Sequence, residues 1–226
     1  MDFSFLSKYY MYFVDGARIT LILSFFTVIL GVALGIVIAL MRMSSIWPLK
    51  AAATSYIEFI RGTPLLVQLF LIYYGLPQIG IHFPELPGFG SSFPDFMGAV
   101  LALSINSSAY VAEVFRAGIQ AIDKGQMEAA RSLGLSHPMA MRYIILPQAL
   151  RNVLPALGNE FIVVIKESSI ASVIGIGELM YKADTVRGNT FQPFGPLIVA
   201  AVIYFVITFT LSKLLGIAER RMRTSD

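Results

Sequence analysis

The sequence contains no cysteine, which excludes disulfides, thiolate metal sites and cysteine nucleophiles. Charge is scarce as well. Asp, Glu, Lys and Arg make up 14% of the 226 residues, where an ordinary soluble domain has about a quarter. There are two histidines, His82 and His137. They are far apart in sequence and each falls in an expected loop, so neither a metal site nor a histidine-based catalyst is expected. No G-x-x-x-x-G-K-[ST], H-E-x-x-H or G-x-S-x-G pattern occurs, which argues against catalysis by this chain itself. The opening "MDFSFLSKYYMYFVDG" has neither the basic start nor the small-residue cleavage site of a signal peptide, so insertion without processing is expected.

What is abundant is apolar residues, at 56%. A helix needs roughly 20 predominantly apolar residues to cross the hydrocarbon core. Five segments qualify, at about 17–41, 53–76, 95–117, 150–175 and 195–216. The expected fold class is therefore an all-α polytopic membrane protein, with residues 1–226 forming one transmembrane domain. Basic residues orient it. Arg42 and Lys50 follow span 1, Lys124, Arg131, Arg142 and Arg151 separate spans 3 and 4, and Arg220, Arg221 and Arg223 follow span 5. Residues 77–97 contain no Lys or Arg. The positive-inside rule then puts the N-terminus outside and the C-terminus in the cytoplasm.

Three spans carry polar groups that hydrocarbon would not tolerate. In span 2, Glu58 and Arg61 are neighbours on one helix face, and Gly62-Thr63-Pro64 follows at once. Proline removes a backbone donor and glycine adds slack, so the helix is expected to kink or break there. Gln68 lies one turn beyond. A broken helix with a polar pair fits a transport path; it fits equally a charge pair snorkelling at the cytoplasmic mouth. Span 4 holds Glu160, Lys166 and Glu167. Each central charge costs about 2.5–3.5 kcal/mol on the insertion scale, and each Leu, Ile, Phe or Val returns only about 0.3–0.6. This helix must face protein or a water-filled cavity. Glu160 and Glu167, seven apart, share a face that could meet a charged or zwitterionic substrate, or an inter-helix ion pair. In span 3, Asn106, Tyr110 and Glu113 form one stripe, which could serve inter-helix hydrogen bonding or the same cavity. The substrate-path candidates are Glu58, Arg61, Gln68, Asn106, Tyr110, Glu160, Lys166 and Glu167. Gly31 and Gly35 in span 1 are a small-xxx-small pattern that predicts close helix packing.

The loop 119–147 between spans 3 and 4 is the longest of the cytoplasmic segments. "QMEAARSL" at 126–133 is a run of helix formers, and Gly134 is a natural stop. "SHP" opens a second short helix, with Ser136 as N-cap and Pro138 in its first turn. The pair predicts a compact knob that a partner protein could grip.

Residues 128–147 match E-A-A-x3-G-x9-I-x-L-P at every fixed position: Glu128, Ala129, Ala130, Gly134, Ile144, Leu146 and Pro147. This resembles the signature loop of permease subunits of bacterial ATP-binding-cassette importers. The stretches "RGTPLLVQLF" at 61–70, "AYVAEVFRAGIQAIDKGQMEAA" at 109–130 and "LPQALRNVLPALGNEFIVVIKESSIAS" at 146–172 narrow the resemblance to the polar amino-acid family. It covers nearly the whole chain and is weakest at 78–96.

The resemblance implies a type I importer fold in the bacterial inner membrane. It implies two permease subunits, identical or related, and an extracytoplasmic solute-binding protein that delivers the amino acid. It also implies a cytoplasmic ATPase subunit that binds ATP and Mg, so that this chain carries no cofactor of its own. The coupling element would be Glu128, Ala129, Ala130, Arg131, Leu133 and Gly134, docked on that ATPase, and import would proceed by alternating access. The acidic groups of spans 2 and 4 lean slightly towards a cationic amino acid. The alternatives are an ion-coupled carrier or channel acting alone, using Glu58, Glu160 and Glu167, and a membrane scaffold that only anchors an ATPase.

Overall fold

A computed structural model of the chain describes residues 3–83 and 93–223. Part of the 78–96 segment, residues 84–92, lies outside them. Among the described residues the chain runs α1 (Leu6–Met43), α2 (Trp47–Gly62), α3 (Leu65–Gln78), α4 (Phe93–Gln120), α5 (Lys124–Ser132), α6 (His137–Ala140), α7 (Leu146–Glu167), α8 (Leu179–Thr190) and α9 (Gly195–Arg223). No strand occurs among them. Three helices are long and apolar enough to cross a membrane: α1, α4 and, over Gly195–Arg221, α9. The pair α2 and α3 meets the same requirement jointly, but bends by 109° at its break. Helix α7 carries Arg151, Glu160, Lys166 and Glu167 and falls outside that set.

Helices α1 and α4 form the spine. Their contact depends on the absence of side chains on α1. A Cβ added at Gly35 would lie 2.5 Å from Val111 Cγ1 and 2.9 Å from the Ser108 carbonyl oxygen. One added at Gly31 would lie 3.1 Å from Ser107 Cβ. The small-residue pattern therefore packs the two backbones close together. Ser104 Oγ reinforces the contact by donating to the Thr27 carbonyl at 3.1 Å.

The bend between α2 and α3 follows from Thr63 and Pro64, whose extended backbone separates the two helices. Pro64 has no N–H, so the α2 ladder cannot continue through it. The side chain of Gln68 satisfies the carbonyls left over. Its Nε2 donates to Ile60 O at 2.7 Å and to Thr63 O at 3.0 Å.

A second local irregularity precedes α7. Residues Met141–Ile145 form a π-helical turn in which Leu146 N–H reaches Met141 O, five residues back. Pro147 explains the wide turn: it has no N–H to give Tyr143 O, and its ring would crowd that carbonyl in a regular α-helix.

At the far end of the spine α8 packs against α1 and α9. Glu178, fully buried, caps α8 by accepting from Met180 N at 2.9 Å and Tyr181 N at 2.7 Å. Tyr204 of α9 donates to the same carboxylate at 2.7 Å, and Leu179 N donates to Thr20 Oγ1 of α1 at 3.1 Å. One carboxylate thus fixes α8 to α9 while the next backbone amide fixes it to α1.

Candidate functional site

Two clusters contain the residues singled out in the sequence. The first is a set of polar groups on α2, α3, α4 and α7. Gln68 and Asn106 meet: Asn106 Nδ2 donates to Gln68 Oε1 at 2.9 Å, and both side chains are buried. Their polar atoms are engaged with each other and with the α2–α3 break. Glu160 accepts from Ser107 Oγ at 2.7 Å and is half-buried. Glu167 lies two turns on along α7, within electrostatic reach of Glu160 and of Lys166.

The expected pairing of Glu58 with Arg61 does not form. Glu58 is exposed and makes no ion pair or side-chain hydrogen bond among the described residues. Arg61 instead lies over the ring of Tyr110, 5.7 Å from its centroid. Such a stack is worth about 0.5–1 kcal/mol at an exposed site. Lys166 is exposed, and its ammonium makes no bond among the described residues. Among the described residues, three carboxylates (Glu58, Glu160, Glu167) and two cations (Arg61, Lys166) therefore stand without an ion-pair partner on helices of a strongly apolar chain. The inter-helix ion pair with Arg61 is thus not formed within the described chain.

Ser107 was not singled out in the sequence. The run "SINSSAY" held a signal, since Ser104, Ser107 and Ser108 recur along one side of α4, but which serine meets a carboxylate is set by the α4–α7 crossing. That crossing is close at Gly118, whose added Cβ would collide with Val153.

The second cluster is the knob. Asp123 caps α5 by accepting from Gly125 N at 2.6 Å. Gly134 adopts φ +84°, the left-handed region that glycine occupies without strain. Leu135 N then reaches back to Ala130 O at 3.1 Å and Gly134 N to Arg131 O at 3.1 Å, closing the helix. Ser136 caps α6 by accepting from Met139 N at 3.4 Å. Ala130 is buried within the knob, whereas Glu128, Ala129, Arg131 and Gly134 are exposed and Leu133 is 83% exposed. Gln148 at the start of α7 bonds Ile144 O at 2.9 Å and reaches Gln126 of α5, so the knob is tied to α7 directly.

An apolar groove of about 690 Å³ runs along Ile19, Phe26, Phe96 and Val100. It shares no residue with either cluster.

Comparison with known proteins identifies the family. Residues 31–224 match the family described as the binding-protein-dependent transport system inner membrane component. The chain belongs to that family. This inner-membrane permease is 40% identical to the arginine transport system permease protein ArtQ of Bacillus subtilis, over 100% of its own length and 99% of the relative's. It is 41% identical to the probable glutamine ABC transporter permease protein GlnM of the same organism, over the full length of both. Among solved structures, a crystal structure of an amino acid ABC transporter with histidines is 57% identical and superposes with a TM-score of 0.89, covering 98% of the permease and 99% of that chain. The MetNI methionine ABC transporter, at 18% identity and a TM-score of 0.63, shares the fold.

Proposed function

We propose that this permease is the membrane-spanning subunit of an ATP-driven importer of polar amino acids, with a slight lean to cationic ones. The carrying observation is the pair of clusters on one chain. Unpaired carboxylates line helices that cannot face lipid, and a rigid exposed knob is bonded to the helix that bears two of them. The N-terminus lies outside and the knob in the cytoplasm, as the Lys/Arg distribution favours. The five spans at about 17–41, 53–76, 95–117, 150–175 and 195–216 form one domain, the second being the bent α2–α3 pair.

The knob docks on a cytoplasmic ATPase through Glu128, Ala129, Arg131, Leu133 and Gly134, while Ala130 packs its inner side. The ATPase binds ATP and Mg and hydrolyses the nucleotide. Two permease subunits enclose the path, and an extracytoplasmic binding protein delivers the solute. Glu58, Arg61, Tyr110, Glu160, Lys166 and Glu167 contact the amino acid, and Gln68 and Asn106 hold the bend in place beside them. The cationic preference is supported by three carboxylates against two cations in the path, by the arginine system of one relative and by the histidines of the 57%-identical structure. The glutamine systems among the relatives make polarity, not charge alone, the common feature.

The test is reconstitution of the permease with its ATPase and binding protein in proteoliposomes. ATP-dependent uptake of labelled arginine, competed by histidine and lysine more strongly than by glutamine, is expected. Uptake without any ATPase, driven by an ion gradient, would establish the lone-carrier alternative instead.

A further inference from the structure

The end of α4 that leads to the knob carries a charge cluster centred on Glu113, which is not among the residues placed in the substrate path. Arg42, in the last turn of α1, donates to Glu113 Oε1. Arg116, one turn further along α4, donates to Glu113 Oε2 through Nη2 at 2.7 Å and Nε at 3.0 Å. Its Nη1 continues to Gln120 Oε1 at 2.5 Å, and Gln120 is the last residue of α4. Arg61, in the last turn of α2, acts electrostatically on the same carboxylate while lying over Tyr110, one turn before Glu113. The Arg42 and Glu113 side chains are only 19% and 18% exposed.

Two guanidinium groups, one from α1 and one on α4 itself, thus bind one carboxylate, and that of Arg61 from α2 lies one turn away over Tyr110. An exposed ion pair needs one cation and contributes little. Here both oxygens are occupied, and removing the carboxylate would leave like charges facing each other in a half-buried site. The helices it joins are informative. Tyr110, Glu113 and Gln120 lead along α4 to Asp123, the cap of α5, so this stripe is the root of the knob. Arg42 ends α1, which among the described residues has no bond to the knob of its own. Arg61 ends the α2 segment that carries Glu58, and beyond it lies the bend.

We infer that Glu113 is a positioning residue for energy coupling: it holds the ends of α1 and α2 in register with the root of the knob. Displacement of α5 is then carried into the bent pair and the path. This rests on the importer reading above. Glu113 need not touch the amino acid; it acts through Arg42 and Arg116, beside the Arg61–Tyr110 stack.

The experiment uses the assembled complex of permease, ATPase and binding protein in proteoliposomes and measures amino acid moved per ATP hydrolysed. Glu113→Gln is expected to keep the complex assembled and hydrolysing ATP while lowering that ratio about tenfold. Arg42→Gln and the double variant should fall to the same level, because the two changes remove one interaction. Glu113→Asp should retain most of the wild-type ratio. A ratio in Glu113→Gln within about twofold of wild type overturns the inference, as do effects of Arg42→Gln and Glu113→Gln that multiply. Should Glu113→Gln fail to assemble, Arg42→Gln carries the test alone, a lowered ratio supporting the role and an unchanged one refuting it. A wild-type complex that moves no amino acid would instead overturn the importer reading, so the two failures are distinguishable.

Discussion

Asn106 on α4 donates to Gln68 on α3 at 2.9 Å, and Gln68 in turn donates to the carbonyls of Ile60 and Thr63 at the break before Pro64. The bend in the second span is thereby held by a side chain eight residues beyond Ile60, itself oriented from a neighbouring helix. Gln68→Leu removes donors and acceptor together and leaves the Ile60 carbonyl and the Asn106 amide unsatisfied. A buried unsatisfied group costs about 1–3 kcal/mol. The variant should lose thermal stability in detergent by that order and lose transport with it. Asn106→Ala, which removes one bond only, should lose less. Equal stability of Gln68→Leu and wild type in a melting assay would refute the brace.

The α1–α4 spine makes a contrasting pair of predictions about glycine. Gly35 faces the Ser108 carbonyl and Val111, and backbone cannot move aside for a new side chain. Gly35→Val should destabilise by about 1–3 kcal/mol, the usual range for overpacking. Gly75 in α3 has nothing within 4 Å of an added Cβ. Gly75→Ala should be neutral or stabilising by about 0.5–1 kcal/mol, through helix propensity. Parallel thermal denaturation of the two variants decides between them; a Gly35→Val protein as stable as Gly75→Ala would contradict the close contact.

These two cases also mark what the sequence made legible. The break at Gly62-Thr63-Pro64 and the close face at Gly31 and Gly35 could be read directly, because proline chemistry and small-residue spacing act locally. So could the knob, whose stop at Gly134 and cap at Ser136 are set by residues adjacent in sequence. The partners across helices were less accessible. That Glu160 meets Ser107, that Gln68 meets Asn106, and that Arg61 turns to Tyr110 in preference to Glu58 all depend on helix crossings fixed by packing. Glu178 shows the same limit. Nothing adjacent in sequence marks it as fully buried beneath α8, with its partners on α8 itself and on α9.

The knob makes its own prediction. Gly134 has φ +84°, where any side chain is strained, and Leu133 beside it is exposed. Gly134→Glu adds strain and a charge next to the apolar contact, and should leave the permease in the membrane while abolishing co-purification with the ATPase. Leu133→Ala disturbs no backbone and should weaken that association by about 1–2 kcal/mol, an anchor's share of an interface. Membrane insertion is scored by fractionation and association by pull-down. Normal ATP-dependent uptake by Gly134→Glu would remove the coupling role from this segment.

The path separates charge from packing at Glu160. Its carboxylate accepts from Ser107 at 2.7 Å but meets no cation among the described residues. Glu160→Gln keeps the shape and an oxygen for Ser107, and removes only the charge. If Glu160 receives the cationic group of the amino acid, arginine uptake should fall by about tenfold or more, since a lost charge-assisted bond is worth roughly 1.5–3 kcal/mol. Glutamine uptake should change far less. Ser107→Ala removes one hydrogen bond to the carboxylate but leaves its charge, and should affect both solutes equally. Transport assays with the two solutes, run on the three proteins side by side, distinguish the cases. An equal fall for arginine and glutamine in Glu160→Gln would make Glu160 a structural element of the α4–α7 contact, and the cationic preference would then have to reside in Glu58, Glu167 or the binding protein.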